Sequence, residues 1–132
     1  MKHFTLPELC HSATAQKYKI NNECSLAHIH KLTLLVNNVL DPLREAWGKP
    51  IFVNSGYRSV ALNKKLKGVP NSQHLYGEAA DITTGSIAGN KQLFELVQLL
   101  NLPFDQLIDE KGYRWVHVSH REEGNRGQVL RG

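Results

Sequence analysis

Three short segments of the chain combine turn-forming residues with side chains that can do chemistry: residues 55–59, 72–82 and 115–119. They contain His74, Asp81 and His117, and the last two stand among small or apolar neighbours. Burying a carboxylate is costly unless it is paired or bound to a metal. A catalytic zinc site uses three protein ligands of these types and leaves a fourth position for water. The three residues are therefore candidate zinc ligands; the alternative is that each histidine is an ordinary core or rim residue.

The elements that must position these side chains follow from the apolar pattern and the turn formers. We predict helices over residues 5–11, 25–47, 59–66 and 90–102, and strands over residues 50–55, 79–83, 104–110 and 114–119. Three polar or turn-rich segments are expected to be irregular: residues 16–23, 69–78 and 121–132. The longest helix should kink near Asp41, because Pro42 cannot donate a backbone hydrogen bond, and should end at Gly48.

The order of these elements predicts the fold class. Helices stand at the start of the chain and between strands that cluster later, and the last two strands form a hairpin around residues 111–113. This pattern is typical of α+β proteins. We expect a single domain over residues 1–132, with a small antiparallel sheet flanked by helices.

The composition excludes several classes of protein. The chain has 132 residues, 41% of them hydrophobic, which argues against disorder. No apolar run approaches the roughly 18 residues of a membrane span, and the first residues lack the apolar core of a signal peptide. The net charge of +4 is interpreted mainly as favouring solubility. No long basic block occurs, so nucleic-acid binding is not expected.

Cys10 and Cys24 are the two cysteines of the chain. They are too few for a disulfide-stapled mini-protein or a cysteine-rich zinc module, and too far apart for a C-x-x-C motif. Two alternatives remain open. The simpler one is a pair of reduced, buried thiols, and the other is one disulfide that ties down the N-terminal segment.

The three segments together resemble the zinc D-alanyl-D-alanine carboxypeptidase family, peptidase family M15, including its small phage and bacterial members. The family pattern S-G-Y-R-S, S-x-H-x-x-G-x-A-x-D and W-x-H-x-S occurs here in the same order, at residues 55–59, 72–81 and 115–119. The resemblance extends from Thr5 to about His120 and includes residues 40–44. It implies a hedgehog/DD-peptidase-like fold.

The resemblance also implies a role for each matching residue. The family's zinc ligands correspond to His74, Asp81 and His117. Arg58 corresponds to the arginine that holds negative charge on the substrate or the transition state. A guanidinium suits that role because it stays charged and can donate two parallel hydrogen bonds. Independently of the resemblance, residue type makes three neighbours in the second segment candidate substrate-binding residues: Ser72 and Gln73 as hydrogen-bond donors, and Tyr76 as an aromatic that lines a pocket, with ordinary packing as its alternative.

The general base is the point at which this chain departs from the family pattern. Many members carry an acidic residue three positions before the last histidine, where this chain has Arg114. The candidates are instead Asp109 and Glu110. A two- or four-residue hairpin loop pairs Glu110 with Trp115 and places it on the face of His117, whereas a three-residue loop pairs Asp109 with Trp115. The small family members tend to carry a glutamate here, so we favour Glu110; an ordinary charge at a hairpin end is the alternative.

The resemblance implies a zinc metallopeptidase acting on peptidoglycan stem peptides, with water activated at zinc, Glu110 as general base and Arg58 binding anionic charge. The bond stays open between D-Ala-D-Ala, cut by a carboxypeptidase, and an internal bond such as L-Ala-D-Glu, cut by an endopeptidase. A non-catalytic cell-wall-binding module that retains the fold is the alternative, favoured by the missing acid near His117.

The remaining expectations concern partners and location. We expect a monomer with no nucleic-acid partner and no membrane insertion. The lack of a signal peptide leaves the localisation unknown, and it fits a phage lysin or a virion-associated enzyme that acts on the cell wall.

Overall fold

Five strands form one sheet in the computed structural model, which describes residues 1–132. The strands are β1 (Phe52–Ser55), β2 (Ala79–Thr83), β3 (Gln106–Glu110), β4 (Trp115–Ser119) and β5 (Gln128–Arg131). Their order across the sheet is β1-β2-β4-β3-β5. Neighbouring strands are antiparallel, except that β5 runs parallel to β3. The α+β class and the largely antiparallel sheet are therefore confirmed.

Six α-helices accompany the sheet: α1 (Leu6–Cys10), α2 (Ala13–Lys17), α3 (Leu26–Leu35), α4 (Asp41–Trp47), α5 (Val60–Lys65) and α6 (Ile87–Leu99). Side-chain oxygens accept hydrogen bonds from backbone N–H groups in the first turns of five of them, those of Thr5, Ser12, Ser25, Ser59 and Ser86. Thr5 and Glu8 form a reciprocal capping box, in which each side chain accepts a hydrogen bond from the backbone N–H of the other residue. None of the helices combines the length and the apolarity that a membrane span requires.

The irregularity that the sequence predicts near Asp41 is a wider helical turn, and the helical segment continues through it from α3 to α4. A π-helical turn, Val36–Leu40, joins the two α-helices. Pro42 lies in the first turn of α4 and has no N–H to donate, and the wider turn before it accommodates that missing hydrogen bond. Gly48 then ends α4 in the left-handed conformation, with a φ of 75°, as expected.

The two faces of the sheet differ in character, because side chains alternate along each strand. One face packs into the hydrophobic core with the helices, and its core residues include Ala80, Ile82, Leu107, Val116 and Val118. The residues of the opposite face line a groove, and they include Asp81, Ile108, Glu110, Trp115 and His117. The helices thus cover one face and leave the other open for a functional site.

The prediction of an irregular tail over residues 121–132 is wrong for Gln128–Arg131, which form β5. All four residues of β5 are exposed, so the strand carries no apolar alternation that would reveal it. It is held instead by backbone hydrogen bonds that start just before it. The N–H of Gly127 donates to Phe104 at 3.1 Å, and the N–H of Gln128 donates to Asp105 at 2.9 Å. The tail is therefore fixed against the start of β3.

Two other segments that the sequence predicts as irregular contain short helices. α2 extends into the first of them, because Ser12 caps a turn that continues to Lys17. A 3₁₀-helix, Gln73–Tyr76, lies in the second. Both are single turns stabilised by a serine cap, which is too short a segment for periodicity to show.

Cys10 and Cys24 form a disulfide, so the second of the two alternatives holds. Asn22, close to Cys24, reinforces the link: its Nδ2 donates to the carbonyl oxygens of Cys10 at 2.9 Å and Tyr57 at 3.1 Å. Its Oδ1 accepts from the backbone N–H of Ser59 at 2.7 Å. The N-terminal segment is therefore fastened to the loop that follows β1.

Candidate metal centre and active-site groove

The register of the sheet brings the candidate metal ligands together. Asp81 on β2 pairs with His117 on β4, and Asp81 Oδ1 lies 2.9 Å from His117 Nδ1. His74 places its Nε2 atom 3.3 Å from the other carboxylate oxygen, Asp81 Oδ2. One ligand atom from each residue lies within 4.8 Å of the others. The three side chains therefore meet on the open face of the sheet.

The turn that carries His74 is built by its neighbours. The hydroxyl of Ser72 accepts from the His74 backbone N–H at 3.2 Å, and the His74 carbonyl accepts from the Arg58 N–H at 3.0 Å. Gly77 ends the 3₁₀-helix with a φ of 75°. A Cβ at Gly77 would lie only 2.7 Å from the carbonyl oxygen of His28, so both the conformation and the close approach require glycine. The S-x-H-x-x-G pattern is thus a compact turn that presents one histidine.

The hydrogen bond on the far side of the His74 ring determines which nitrogen faces the cluster. His74 Nδ1 lies 2.7 Å from the carbonyl oxygen of Gly56. A carbonyl oxygen only accepts, so Nδ1 carries the proton, and the neutral ring presents its lone pair at Nε2. That lone pair and the Asp81 carboxylate oxygen, 3.3 Å apart, need a proton or a cation between them. Two imidazoles and one carboxylate suit zinc, so the residues present fit that ion.

Asp81 is the charged centre of the cluster. Burial alone would raise the pKa of this carboxyl, which is 7% exposed. Positive charge on the His74 and His117 rings when they are protonated, together with hydrogen bonds from both rings, outweighs burial and holds the pKa of Asp81 well below its usual range. The carboxylate is therefore ionised at neutral pH, as a metal ligand must be.

Arg58 is held beside this cluster by three donated hydrogen bonds. Its Nη2 donates to Asp81 Oδ2 at 3.3 Å, its Nε to the hydroxyl of Ser55 at 3.0 Å and its Nη1 to Asn63 Oδ1 at 3.3 Å. Burial lowers the pKa of Arg58 and the Asp81 charge opposes that effect. The side chain lines the groove. One N–H remains free on each terminal nitrogen, because a guanidinium has five donors.

The β3–β4 hairpin places the two candidate bases, Asp109 and Glu110, on opposite faces of the sheet. The loop of residues 111–114 pairs Glu110 with Trp115, and both line the groove with His117. Asp109 lies on the other face, where it is buried and accepts from the Tyr113 N–H at 2.6 Å. Burial raises the pKa of the Glu110 carboxyl, and the nearby His117 acts in the opposite direction.

The groove has a volume of about 650 Å³, and two of the three candidate substrate-binding neighbours line it, Ser72 and Gln73. Tyr76 does not. Its ring lies under Lys31, whose Nζ is 5.5 Å from the ring centroid, in a separate depression that also contains Glu78. We therefore remove Tyr76 from the set of candidate substrate-binding residues.

The sequence analysis did not identify several polar residues that line the groove: Lys67, Asn71, Gln106, Arg121 and Arg126. No motif marks any of them. The two arginines belong to the tail, and only its pairing with β3 brings them to the groove. Their close spacing in a polar segment was the one available indication.

Comparison with known proteins adds two findings. The Peptidase M15 family model matches residues 2–119. Over 48 residues the chain is 52% identical to a zinc D-Ala-D-Ala carboxypeptidase from Streptomyces albus G, a match that covers 36% of this chain and 19% of that protein. The match thus spans about a fifth of the length of this curated relative.

Proposed function

The chain belongs to the peptidase M15 family, and we propose that it is a zinc peptidase that hydrolyses peptide bonds of peptidoglycan stem peptides. The observation that carries the proposal is the cluster of His74, Asp81 and His117 in an open groove that Arg58 and Glu110 also line. The name of the Streptomyces relative, a zinc D-Ala-D-Ala carboxypeptidase, supports both the metal and the substrate class. We propose that the chain acts on the cell wall as a monomer.

His74, Asp81 and His117 would hold the ion. When bound, zinc supplies Lewis acidity, which polarises a substrate carbonyl and lowers the pKa of a water molecule. The Gly56 carbonyl contributes indirectly, because it fixes the His74 tautomer that leaves Nε2 free to bind. Three protein ligands leave room for water and substrate, which distinguishes a catalytic from a structural zinc site.

Glu110 would act as the general base. Its carboxylate would take a proton from the attacking water and pass it to the leaving amine. Burial raises the pKa of Glu110 above its ordinary value. This suits the role, because a higher pKa makes the carboxylate a stronger base toward the attacking water. Its place across from Trp115 keeps it on the face of His117.

Arg58 would bind negative charge on the substrate. Its three hydrogen bonds to Ser55, Asn63 and Asp81 orient the guanidinium and leave one N–H on each terminal nitrogen for a carboxylate or a developing oxyanion. Such a charge-assisted contact is worth most where water is excluded, and Arg58 is largely buried: its side chain is 14% exposed.

The scissile bond has two candidates. The name of the relative favours D-Ala-D-Ala and therefore a carboxypeptidase. An internal bond such as L-Ala-D-Glu is the second candidate, because the groove continues past the metal cluster to Gln106, Arg121 and Arg126. A groove with room on both sides of the cluster suits cleavage within a peptide.

The test combines metal analysis with hydrolysis of purified peptidoglycan, with and without a chelator. About one zinc per chain, and peptide or D-alanine release that the chelator abolishes, would support the proposal. Mass spectrometry of the released fragment would identify the bond. Zinc without hydrolysis would favour a cell-wall-binding module that retains the fold, and failure to bind zinc after reconstitution would contradict the metal site.

A further inference from the structure

A fully buried carboxylate holds two arginines at one end of the groove. Asp105 is 0% exposed. Arg126 donates to it through Nε at 3.0 Å, Nη2 at 2.8 Å and its backbone N–H at 2.9 Å. Arg121 Nε lies 3.5 Å from the same carboxylate. These hydrogen bonds from Arg126 lower the pKa of Asp105 to about 2, so the carboxylate stays ionised and both guanidinium groups stay oriented.

The loop between the two arginines is closed by its own side chains. The Arg121 N–H donates to Asn125 Oδ1 at 2.7 Å, and Asn125 Nδ2 donates back to the Arg121 carbonyl at 2.9 Å. The N–H of Gly127 then fastens the chain to Phe104. The backbone of the loop between the two arginines is therefore fixed, and the half-exposed Arg126 side chain is held by its two hydrogen bonds to Asp105. The Arg121 side chain is 45% exposed and keeps its single 3.5 Å contact. Pre-organised donors bind an anion with a smaller loss of conformational entropy.

Their position relative to the metal cluster is set by strand β3. Ile108 pairs with His117 in the middle of the groove, whereas Glu110 lies at one end of β3 and Asp105 lies just before the other. Since a strand rises about 3.3 Å per residue, Asp105 is on the order of 10 Å along β3 from the row of metal ligands. The arginines thus line the end of the groove away from Glu110.

The groove lining at this end carries two arginines and no exposed carboxylate, although Arg121 also borders the depression that contains Glu78, Glu122 and Glu123. Two guanidinium groups share one carboxylate, and Lys67 lines the same groove. Arg121 uses only its Nε toward Asp105, so both of its terminal nitrogens remain available as donors. A carboxylate is the group that such a fork of donors binds best in a peptide substrate.

We propose that Arg121 and Arg126 form an anion subsite that binds a substrate carboxylate lying outside the scissile bond. The proposal rests on the proposed function for the identity of the substrate as a stem peptide. It assigns to this pair a role separate from that of Arg58, which is hydrogen-bonded to the metal cluster itself. Arg121 and Arg126 lie beyond residue 119, where the family match ends, whereas Asp105, which holds them, lies within it.

The test uses synthetic stem peptides in which each free carboxylate is replaced in turn by the neutral carboxamide. With the zinc-loaded protein, one replacement should raise KM about tenfold while kcat changes little, since one charge-assisted contact is lost. The Arg121→Gln variant should show a similarly raised KM for the parent peptide. It should also have the same KM for the parent peptide and for the amidated peptide that the wild type discriminates against. The matched control is Arg131→Gln, which removes the same charge from the same tail at a residue that does not line the groove.

A second variant and a binding measurement separate the loss of anion binding from misfolding of the Arg121→Gln variant. Arg126→Lys keeps the charge but loses the two-pronged contact with Asp105, and its KM should lie between those of the wild type and Arg121→Gln. Calorimetric binding of the same peptides to the metal-free protein gives a readout that needs no hydrolysis. There the parent peptide should bind about tenfold more tightly than its amidated counterpart, and only in proteins that retain Arg121.

The outcomes separate this inference from the proposed function. Hydrolysis that is equally efficient with every amidated peptide, or discrimination that survives Arg121→Gln, would overturn the subsite and leave the peptidase intact. A second outcome is a zinc-loaded protein that cuts no peptide but binds the parent peptide more tightly than its amidated counterpart. If Arg121→Gln abolishes that selectivity, the result would support the subsite and reject the peptidase. Absence of both binding selectivity and hydrolysis would reject both.

Discussion

His74 and Gly56 are joined by a hydrogen bond of 2.7 Å between the imidazole Nδ1 and the backbone carbonyl oxygen. Residues 55–59 therefore have two roles in the site. They contain Arg58, and through the Gly56 carbonyl they orient the His74 ring so that its Nε2 faces Asp81. A Cβ at Gly56 would collide with the backbone carbonyl of Leu9, so this close packing requires glycine. Two motifs that are distant in the sequence thus act as one structural unit.

Zinc binding should stabilise the protein against heat. At a free zinc concentration about 100 times Kd, the folded state gains roughly 2.7 kcal/mol, which corresponds to a rise in Tm on the order of 10 °C for a chain of this size. His117→Ala should abolish the rise in calorimetry or thermal fluorescence, because it removes one of three ligands. The control, His11→Ala, alters an exposed histidine outside the cluster. An equal rise in both variants would contradict the proposed ligand set.

Replacing the proposed base should separate catalysis from metal binding. Glu110→Gln should lower kcat by a factor on the order of 10² to 10⁴, the range for loss of general acid–base catalysis. Zinc content should stay at the wild-type level, because Glu110 is outside the ligand cluster. The matched control is Glu123→Gln, at an exposed residue that does not line this groove. Unchanged hydrolysis by Glu110→Gln would remove this residue as the base.

The parts of the site that could be predicted are those that local rules determine. Strand alternation places Asp81 opposite to Ala80 and Ile82, and it places His117 opposite to Val116 and Val118. Hairpin parity likewise limits the face of Glu110 to two outcomes, although the sequence left the loop length open and the structure has the four-residue loop. The turn chemistry around Gly77 likewise follows from residue type. These features depend on neighbours within a few positions along the chain.

The parts that could not be predicted depend on distant contacts. Strand β5 is held by backbone pairing with β3 and by the contact of Arg126 with a buried carboxylate 21 residues away. No pattern in its four exposed residues indicates either contact. The pairing of Cys10 with Cys24 depends on two Cα atoms lying 6.6 Å apart, which spacing in the sequence does not determine. Both contacts position the edges of the site.

The Asp105 carboxylate should make stability depend on acid pH. Its folded pKa of about 2 lies below the ordinary value of 3.8, so its contribution is fully present above pH 4 to 5 and is lost as the pH falls through about 2. Asp105→Asn should reduce the free energy of unfolding by about 1.5–3 kcal/mol at pH 7, the range for hydrogen bonds to charged groups. Urea denaturation at several pH values should show the difference from wild type shrinking toward pH 2. A difference that is constant with pH would contradict the assignment.

The disulfide should stabilise the fold and the loop that carries Arg58. It links two cysteines 14 positions apart, and for a loop of this size the loop-entropy model gives about 3 kcal/mol. The same region contacts the loop after β1, since Leu9 accepts from the Tyr57 N–H at 2.8 Å and Asn22 from Ser59 at 2.7 Å. The double variant Cys10→Ser/Cys24→Ser should therefore lower Tm by roughly 10 °C. It should also raise KM because the loop carries Arg58, and it should weaken zinc binding because Gly56 of the same loop orients the His74 ring.

A reducing agent provides the matched control for that variant. Dithiothreitol should lower the Tm of the wild type toward that of the double variant and should leave the double variant itself unaffected. The protein should be assayed without added zinc in the thermal experiment, because thiol reagents also bind the metal. Identical Tm values for the oxidised and reduced wild type would contradict a stabilising role for the disulfide and would leave the contacts of Leu9 and Asn22 to hold the N-terminal segment to the Arg58 loop.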